Sequence, residues 1–354
     1  MYQQKGGEII GEGSYGCVFN PPLKCSKDIN TINHVGKLTP LNEANQEYGI
    51  SLILNDIPYS KEYFVLIDDY CYPKARTNQN DKSISKCKLV KGVKLPLTIQ
   101  LIMPFGGKSL LSLNDKITID DIDNIGQKIL EAGTLLLLSG IVHSDIHIGN
   151  VLIDYSGKLR LIDFGSSWIP KLINSSNVAS NITIFNSNNI HKSIEETLIS
   201  AIYSNIDIDI ALAKIKDDKF ILKYLFFISG KSLEQQLNEI KMFMKSSIAF
   251  NERNWVSFYK IYWKKIDAWS IGSILLYTIT NIIMNNNPND SRIDKWRTCV
   301  SGLCEIDPGK RLDALEALEL WAPDSKILAL PEVQVMLKEQ KEIRNKLINK
   351  IGVF

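Results

Sequence analysis

Apolar and polar positions change rhythm about a third of the way along this chain. Over the first hundred residues, short β-rich runs at 8–10, 16–19, 34–38, 63–68 and 97–103 alternate with turns, and one helical segment is expected at 42–54. This pattern predicts a small sheet with a single main helix. The polar series KARTNQNDKSISKCKLVKG, between Cys71 and Val93, breaks the rhythm and is expected to be an exposed insertion, about 71–93. From about Ile119 the spacing becomes helical, as in DIDNIGQKILEAGTLLLLSG, where apolar residues recur every three or four positions and a glycine closes the segment. NSSNVASNITIFNSNN at 174–189 is too polar to order itself and is expected to form a loop. Residues 192–249 turn helical again, and VQVMLKEQKEIRNKLINK ends the chain as a charged amphipathic helix. The uncharged run AWSIGSILLYTITNIIM, 268–284, is short for a membrane span and carries Ser, Thr and Asn, so a buried core helix is expected. The fold class is therefore α+β.

With 354 residues, 45% of them hydrophobic, the chain has material for two packed lobes, and its formal charge of +2 offers no basic field for nucleic acid. MYQQKGGEII has no signal-peptide core and no glycine at position 2, so neither secretion nor myristoylation is expected. None of the six cysteines stands in a C-x-x-C pair, which predicts reduced thiols and a cytoplasmic setting.

Three stretches carry chemistry. Gly11-Glu12-Gly13-Ser14-Tyr15-Gly16-Cys17-Val18 matches G-x-G-x-x-G-x-V, where the absence of side chains lets backbone N–H groups approach a triphosphate. A dinucleotide-binding turn would need a helix to start there, which Pro21-Pro22 forbids; a glycine hairpin without ligand is the bland alternative. Lys37 sits on the next strand within reach of phosphates, and either Glu47 or Glu43 of the following helix is placed to pair with it. In IVHSDIHIGNVLIDYSGKLRLIDFG, residues 141–165, Asp145, Asn150 and Asp163 flank two short strands, and their hard oxygens suit Mg²⁺ shared with substrate phosphates.

In this order these motifs resemble the eukaryotic-type protein kinase family, with G-x-G-x-x-G-x-V, a strand lysine, H-x-D-x-x-x-x-N and D-F-G. Asp267-Ala268-Trp269-Ser270-Ile271-Gly272 resembles the start of the family's central buried helix, and Asp307-Pro308-Gly309-Lys310-Arg311 its late D-P-x-x-R element. In style the chain is also similar to divergent kinases of large cytoplasmic DNA viruses, which would place it in host cytoplasm or virion. The resemblance implies a bilobal fold, with an N-lobe over 1–106 and a C-lobe over 107–354 that holds a long insert at about 174–249 and a buried helix from 267. It further implies ATP and Mg²⁺, or Mn²⁺ in its place, as cofactors of a serine/threonine-protein kinase. Gly13, Lys37, Asp145 and Asp163 would converge on one triphosphate in the cleft between lobes.

By matching position, Lys37 would hold the α and β phosphates, Glu47 would orient it, Asp145 would steer the hydroxyl proton, and Asn150 and Asp163 would bind the metal. Met103 would fall at the gatekeeper, with Pro104, Phe105 and Gly106 as the hinge against adenine; Pro104 lacks an N–H, so Gly106 would supply the donor. Three departures matter. Ser144 replaces the usual arginine, which suggests activity without loop phosphorylation. His147 replaces the usual lysine and is taken as a phosphate-facing catalytic residue, with a histidine that only supports the loop as the alternative; it is equally reminiscent of small-molecule kinases of this fold, aminoglycoside- or choline-kinase-like. No A-P-E follows D-F-G, and Glu252 is the positional substitute expected to pair with Arg311. The partners implied are ATP, a protein substrate, and a docking partner at the 174–249 insert, with no nucleic acid and no membrane span. A pseudokinase scaffold is the non-enzymatic alternative.

Overall fold

A computed structural model of the protein describes residues 7–13, 16–29, 31–92, 94–113, 117–286 and 290–351, of which 81, 92, 96, 284–286 and 343–351 are described by their backbone alone. The chain divides into two compact units. One contains the chain up to Ser109 together with Leu152–Ser167; the other contains Leu110–Val151 and everything from Trp168 onward.

The first unit is built on an antiparallel sheet of β1 (Glu8–Gly13), β2 (Gly16–Asn20), β3 (His34–Pro40), β4 (Asp69–Cys71) and β5 (Thr98–Pro104), ordered β1-β2-β3-β5-β4. The run expected as a strand at 63–68 is instead the end of a helical turn, α2 (Ser60–Tyr63), followed by extended chain; Phe64 bridges Leu161 and pairing begins only at Asp69. Successive strand residues point to opposite faces, and this sheet is apolar on both. On one face Val35, Ile99, Leu101 and Met103 pack with Ala44 of α1 (Leu41–Asn55). On the other, Cys17, Phe19 and Leu38 pack with Ile84, Cys87 and Leu95, and with Leu89 and Val90 at the edge.

That second layer corrects the sequence reading of 71–93 as an exposed insertion. The tract forms two short turns of helix, α3 (Asp81–Ile84) and α4 (Leu89–Gly92), whose few apolar side chains cover a sheet face that would otherwise meet water. The expectation of reduced thiols also fails for four of the six cysteines: Cys17 bonds Cys87 and Cys25 bonds Cys71, across 70 and 46 residues, while Cys299 and Cys304 are free and buried. The fold brings these pairs together, so C-x-x-C spacing was no guide to them. A second, three-stranded sheet, β6 (Lys108–Ser109), β7 (Val151–Ile153) and β8 (Leu159–Leu161), presents the D-F-G stretch at its end.

The second unit is helical. It comprises α5 (Leu110–Leu113), α6 (Ile119–Ser139), α7 (Ile194–Tyr203), α8 (Ile208–Asp218), α9 (Ile221–Ser229), α10 (Leu233–Ser246) and α11 (Ile248–Asn251). It continues through α12 (Trp255–Asn286), α13 (Arg292–Leu303), α14 (Ala314–Trp321) and α15 (Pro331–Ile351). The glycine expected to close α6 does so: Gly140 adopts φ 64°, the left-handed conformation a side chain disfavours. The apolar run 268–284 belongs to α12, which starts earlier than expected; its most apolar window is 83% buried inside the protein, and Trp269, Ile271, Ile274 and Leu275 are fully enclosed. Residues 174–189 form short turns in which Asn174 accepts from the N–H and hydroxyl of Ser176, a local bonding habit that competes with regular structure. The fold is α+β and kinase-like: a β-rich N-terminal sheet followed by a mostly helical remainder.

Candidate active site

The expected site residues fall into two groups, one within each unit. In the first, the glycine-rich motif forms the β1–β2 hairpin, with Gly13 opposite Gly16, Glu12 opposite Cys17 and Gly11 opposite Val18; Ser14 and Tyr15 lie outside the described residues. Gly16 is required by close approach, since a Cβ there would lie 2.1 Å from the Leu38 carbonyl oxygen. Among the described residues nothing lies within 4 Å of where a Cβ at Gly13 would stand, which suits close approach of an anion to the backbone.

Lys37 points to the α1 face of the sheet and is 6% exposed. Its Nζ donates to Glu47 Oε2 at 2.7 Å and to Asp163 Oδ1 at 2.7 Å. The buried positions of α1, 44, 47, 50, 51 and 54, recur at helical spacing and include Glu47, so the helix itself aims this carboxylate inward. Glu43 precedes that stripe, and its Oε2 is buried with no hydrogen-bond partner among the described residues. The rivalry between the two glutamates is decided by position along the helix: four residues apart they share a side of α1, and Lys37 reaches the one a turn further on, Glu47. Burial alone would push the Lys37 ammonium down, but the facing carboxylates of Glu47 and Asp163 outweigh it and hold it above its ordinary value. Asp163 itself adopts φ 68° and accepts from Gly165 N–H, which turns the D-F-G backbone and carries Phe164 into edge contact with Phe64.

Along the expected hinge, Met103 is buried and Val18 packs against the same cluster. The Phe105 N–H is taken by the Asn33 carbonyl at 2.9 Å and Pro104 has no N–H, so Gly106 is the one residue of the three whose N–H has no backbone partner among the described residues.

In the second unit, the segment 142–150 is braced from below. Asp267, the first residue of the D-A-W-S-I-G stretch, accepts from His143 N–H at 2.7 Å and Ser144 N–H at 2.9 Å. Val142 bridges Trp168 through a pair of 2.9 Å bonds. Ser144, where an arginine was the expected residue, sits at φ 66°. The loop then closes on itself: Asn150 Nδ2 donates to the Asp145 carbonyl at 3.0 Å, which leaves the Asn150 side-chain oxygen as an acceptor. His147 Nδ1 accepts from Gly149 N–H at 3.0 Å. The ring proton of the neutral form is therefore on Nε2, 3.9 Å from Asp145 Oδ2.

One pairing expectation is corrected. Arg311 does not pair with Glu252, which is exposed at the C-terminal end of α11; it forms a fully buried two-bond ion pair with Glu195 of α7, at 2.7 and 3.0 Å, and its guanidinium lies 5.0 Å from the centre of the Trp269 ring. The long excursion of α8–α11 follows this glutamate instead of preceding it, which defeated a reading by position. A signal existed in the capped start of α7, Ser193-Ile194-Glu195-Glu196, where Ser193 accepts from Glu196 N–H. Sequence reasoning also missed His191: Ser273 donates its hydroxyl to Ser270 O and so accepts from His191 Nδ1–H at 2.8 Å, and burial holds His191 down to about 4.

Comparison with known proteins adds two findings. Residues 107–197, about a quarter of the chain, match the ABC1 atypical kinase-like domain family; the matched stretch contains Asp145, Asn150, Asp163 and Glu195. Over 63 residues the chain is 38% identical to a protein of Encephalitozoon cuniculi (strain GB-M1) named "Probable cell division protein kinase", a match that covers 18% of this chain and 20% of that protein. Fold, motifs and both matches agree at one level: the chain is similar to kinase-like domains.

Proposed function

We propose that this protein is an ATP-dependent protein kinase that transfers the γ-phosphate of ATP to Ser/Thr hydroxyls of protein substrates. The observation that carries the reading is the buried Lys37 ammonium, held at 2.7 Å by both Glu47 and Asp163. An ammonium fixed in a low-dielectric setting beside a glycine hairpin is suited to phosphate oxygens, and phosphoryl transfer depends almost wholly on such positioning and charge neutralisation. Lys37 would orient the α and β phosphates, with Gly106 N–H against adenine. Asp145 would accept the proton of the attacking hydroxyl, and the Nε2–H of His147 would face that carboxylate or a phosphate oxygen. The Asp163 carboxylate and the Asn150 amide oxygen are hard donors of the kind magnesium takes, and they are the residues that would hold it. Bound magnesium would supply charge neutralisation on the phosphates.

A second reading, a small-molecule acceptor, is favoured by His147 in place of lysine and by the match to an atypical kinase-like family. Labelled ATP offered with a generic basic protein, and separately with amino-sugars and choline-like alcohols, distinguishes the two. Label on Ser/Thr of the basic protein is the expected result; label confined to a small alcohol would replace the first reading with the second. The two disulfides remove the thiol argument for a cytoplasmic setting, while a docking partner at the 174–249 insert remains part of the proposal.

A further inference from the structure

The β1–β2 hairpin is weakly supported by its own pairing. β1 is a sheet edge, exposed at most positions, and the hairpin carries three glycines, each of which adds backbone freedom that binding would have to remove. Yet one rung before the glycine turn, where Glu12 faces Cys17, both strands are held from outside by two consecutive residues of a single segment. Cys17 is bonded to Cys87 with their Cα atoms 5.9 Å apart. The next residue, Lys88, donates its backbone N–H to Glu12 Oε1 at 2.7 Å and places its ammonium 3.3 Å from Oε2. These contacts, the backbone donor first, hold the Glu12 carboxyl below its ordinary range. Ile84 and Cys87 are fully buried against Cys17, Phe19 and Leu38, so the holding segment is itself anchored in a core.

We propose that the segment 81–92 is a clamp on the glycine-rich hairpin, and that Cys87 and Lys88 are positioning residues for nucleotide binding. One covalent and one charge-assisted tie fix β2 and β1 at the same rung, which pre-organises the backbone of the adjacent Gly13/Gly16 rung before any ligand arrives. The proposal rests on the reading of the hairpin as a phosphate cradle. A bridge that only stabilised the fold would lower the melting temperature without separating nucleotide affinity from turnover; a clamp predicts that separation.

The test uses the full chain, MgATP and a basic protein acceptor, with amide hydrogen exchange at residues 16–19 measured without nucleotide. Glu12→Ala removes both Lys88 contacts on the surface and leaves the disulfide intact. Cys17→Ser/Cys87→Ser removes the covalent tie. Cys25→Ser/Cys71→Ser deletes a bridge of the same unit away from the hairpin. Each of the first two changes should raise KM for MgATP about five- to tenfold with kcat little altered, as expected when the binding-competent hairpin falls to a fraction of the population. Both should also speed exchange at 16–19, while the third pair leaves KM within about twofold. If the serine pair fails to fold, Glu12→Ala still decides. Unchanged KM alongside faster exchange would overturn the role in nucleotide binding, and a non-reducing peptide map lacking the Cys17–Cys87 link would overturn the clamp. If wild-type protein turns over no MgATP, the kinase reading falls with the nucleotide role, and the exchange difference alone decides whether the hairpin is clamped.

Discussion

Lys37, Glu47 and Asp163 concentrate the central argument into three side chains. A lysine this buried would ordinarily lose its proton, and it keeps it because two carboxylates lie within hydrogen-bonding distance. Glu47→Gln leaves a neutral acceptor in place of a charged one, so kcat/KM should fall about 10- to 100-fold, the range set by a charge-assisted hydrogen bond. Glu43→Gln, one turn away, with an Oε2 that has no hydrogen-bond partner among the described residues, should stay within about twofold in the same assay. Equal losses in both variants would mean that position along α1 does not select the partner. At this scale the sequence was informative wherever a motif fixes spacing locally, as from Asp145 to Asn150 and at Asp163. It was silent on the choice between Glu43 and Glu47, because residues four apart share a helix face and the choice depends on which of them lies level with Lys37 along α1.

Among elements, the buried pair of Arg311 with Glu195 fastens α7 to the turn before α14, with the guanidinium over the Trp269 ring. Its geometry is bidentate and both groups are enclosed, so truncating one partner strands a charge. Arg311→Ala should cost about 3–5 kcal/mol, read as a lower denaturant midpoint, whereas Glu252→Ala should leave the midpoint unchanged; the reverse order would contradict the assignment. The helices themselves were legible because their periodicity is long and their caps are local, as at Gly140 and Ser193. The segment 71–93 was misread because polarity dominates its composition, and nothing in one sequence reveals that Ile84, Cys87, Leu89 and Val90 cover the far face of a sheet. Disulfide partners 70 and 46 residues apart were hidden for the same reason.

For the molecule as a whole, the change from β-rich to helical rhythm near Ile119 foretold the α+β class. What it could not foretell is that each compact unit is assembled from separate stretches of chain: Leu152–Ser167, which carries Asp163, belongs with the N-terminal sheet, while Asp145 and Asn150 belong with the helices. A catalytic function built on both sets of side chains is therefore a claim about the intact chain. It is tested most directly by γ-phosphate transfer from labelled ATP in the presence of magnesium, comparing wild-type protein with Asp163→Ala of matched thermal stability. The account predicts transfer by the wild type and a loss of about a hundredfold or more in the variant, the scale of removing a charge-stabilising group from a phosphoryl-transfer site. Equal transfer by both proteins, or none by the wild type, would contradict it.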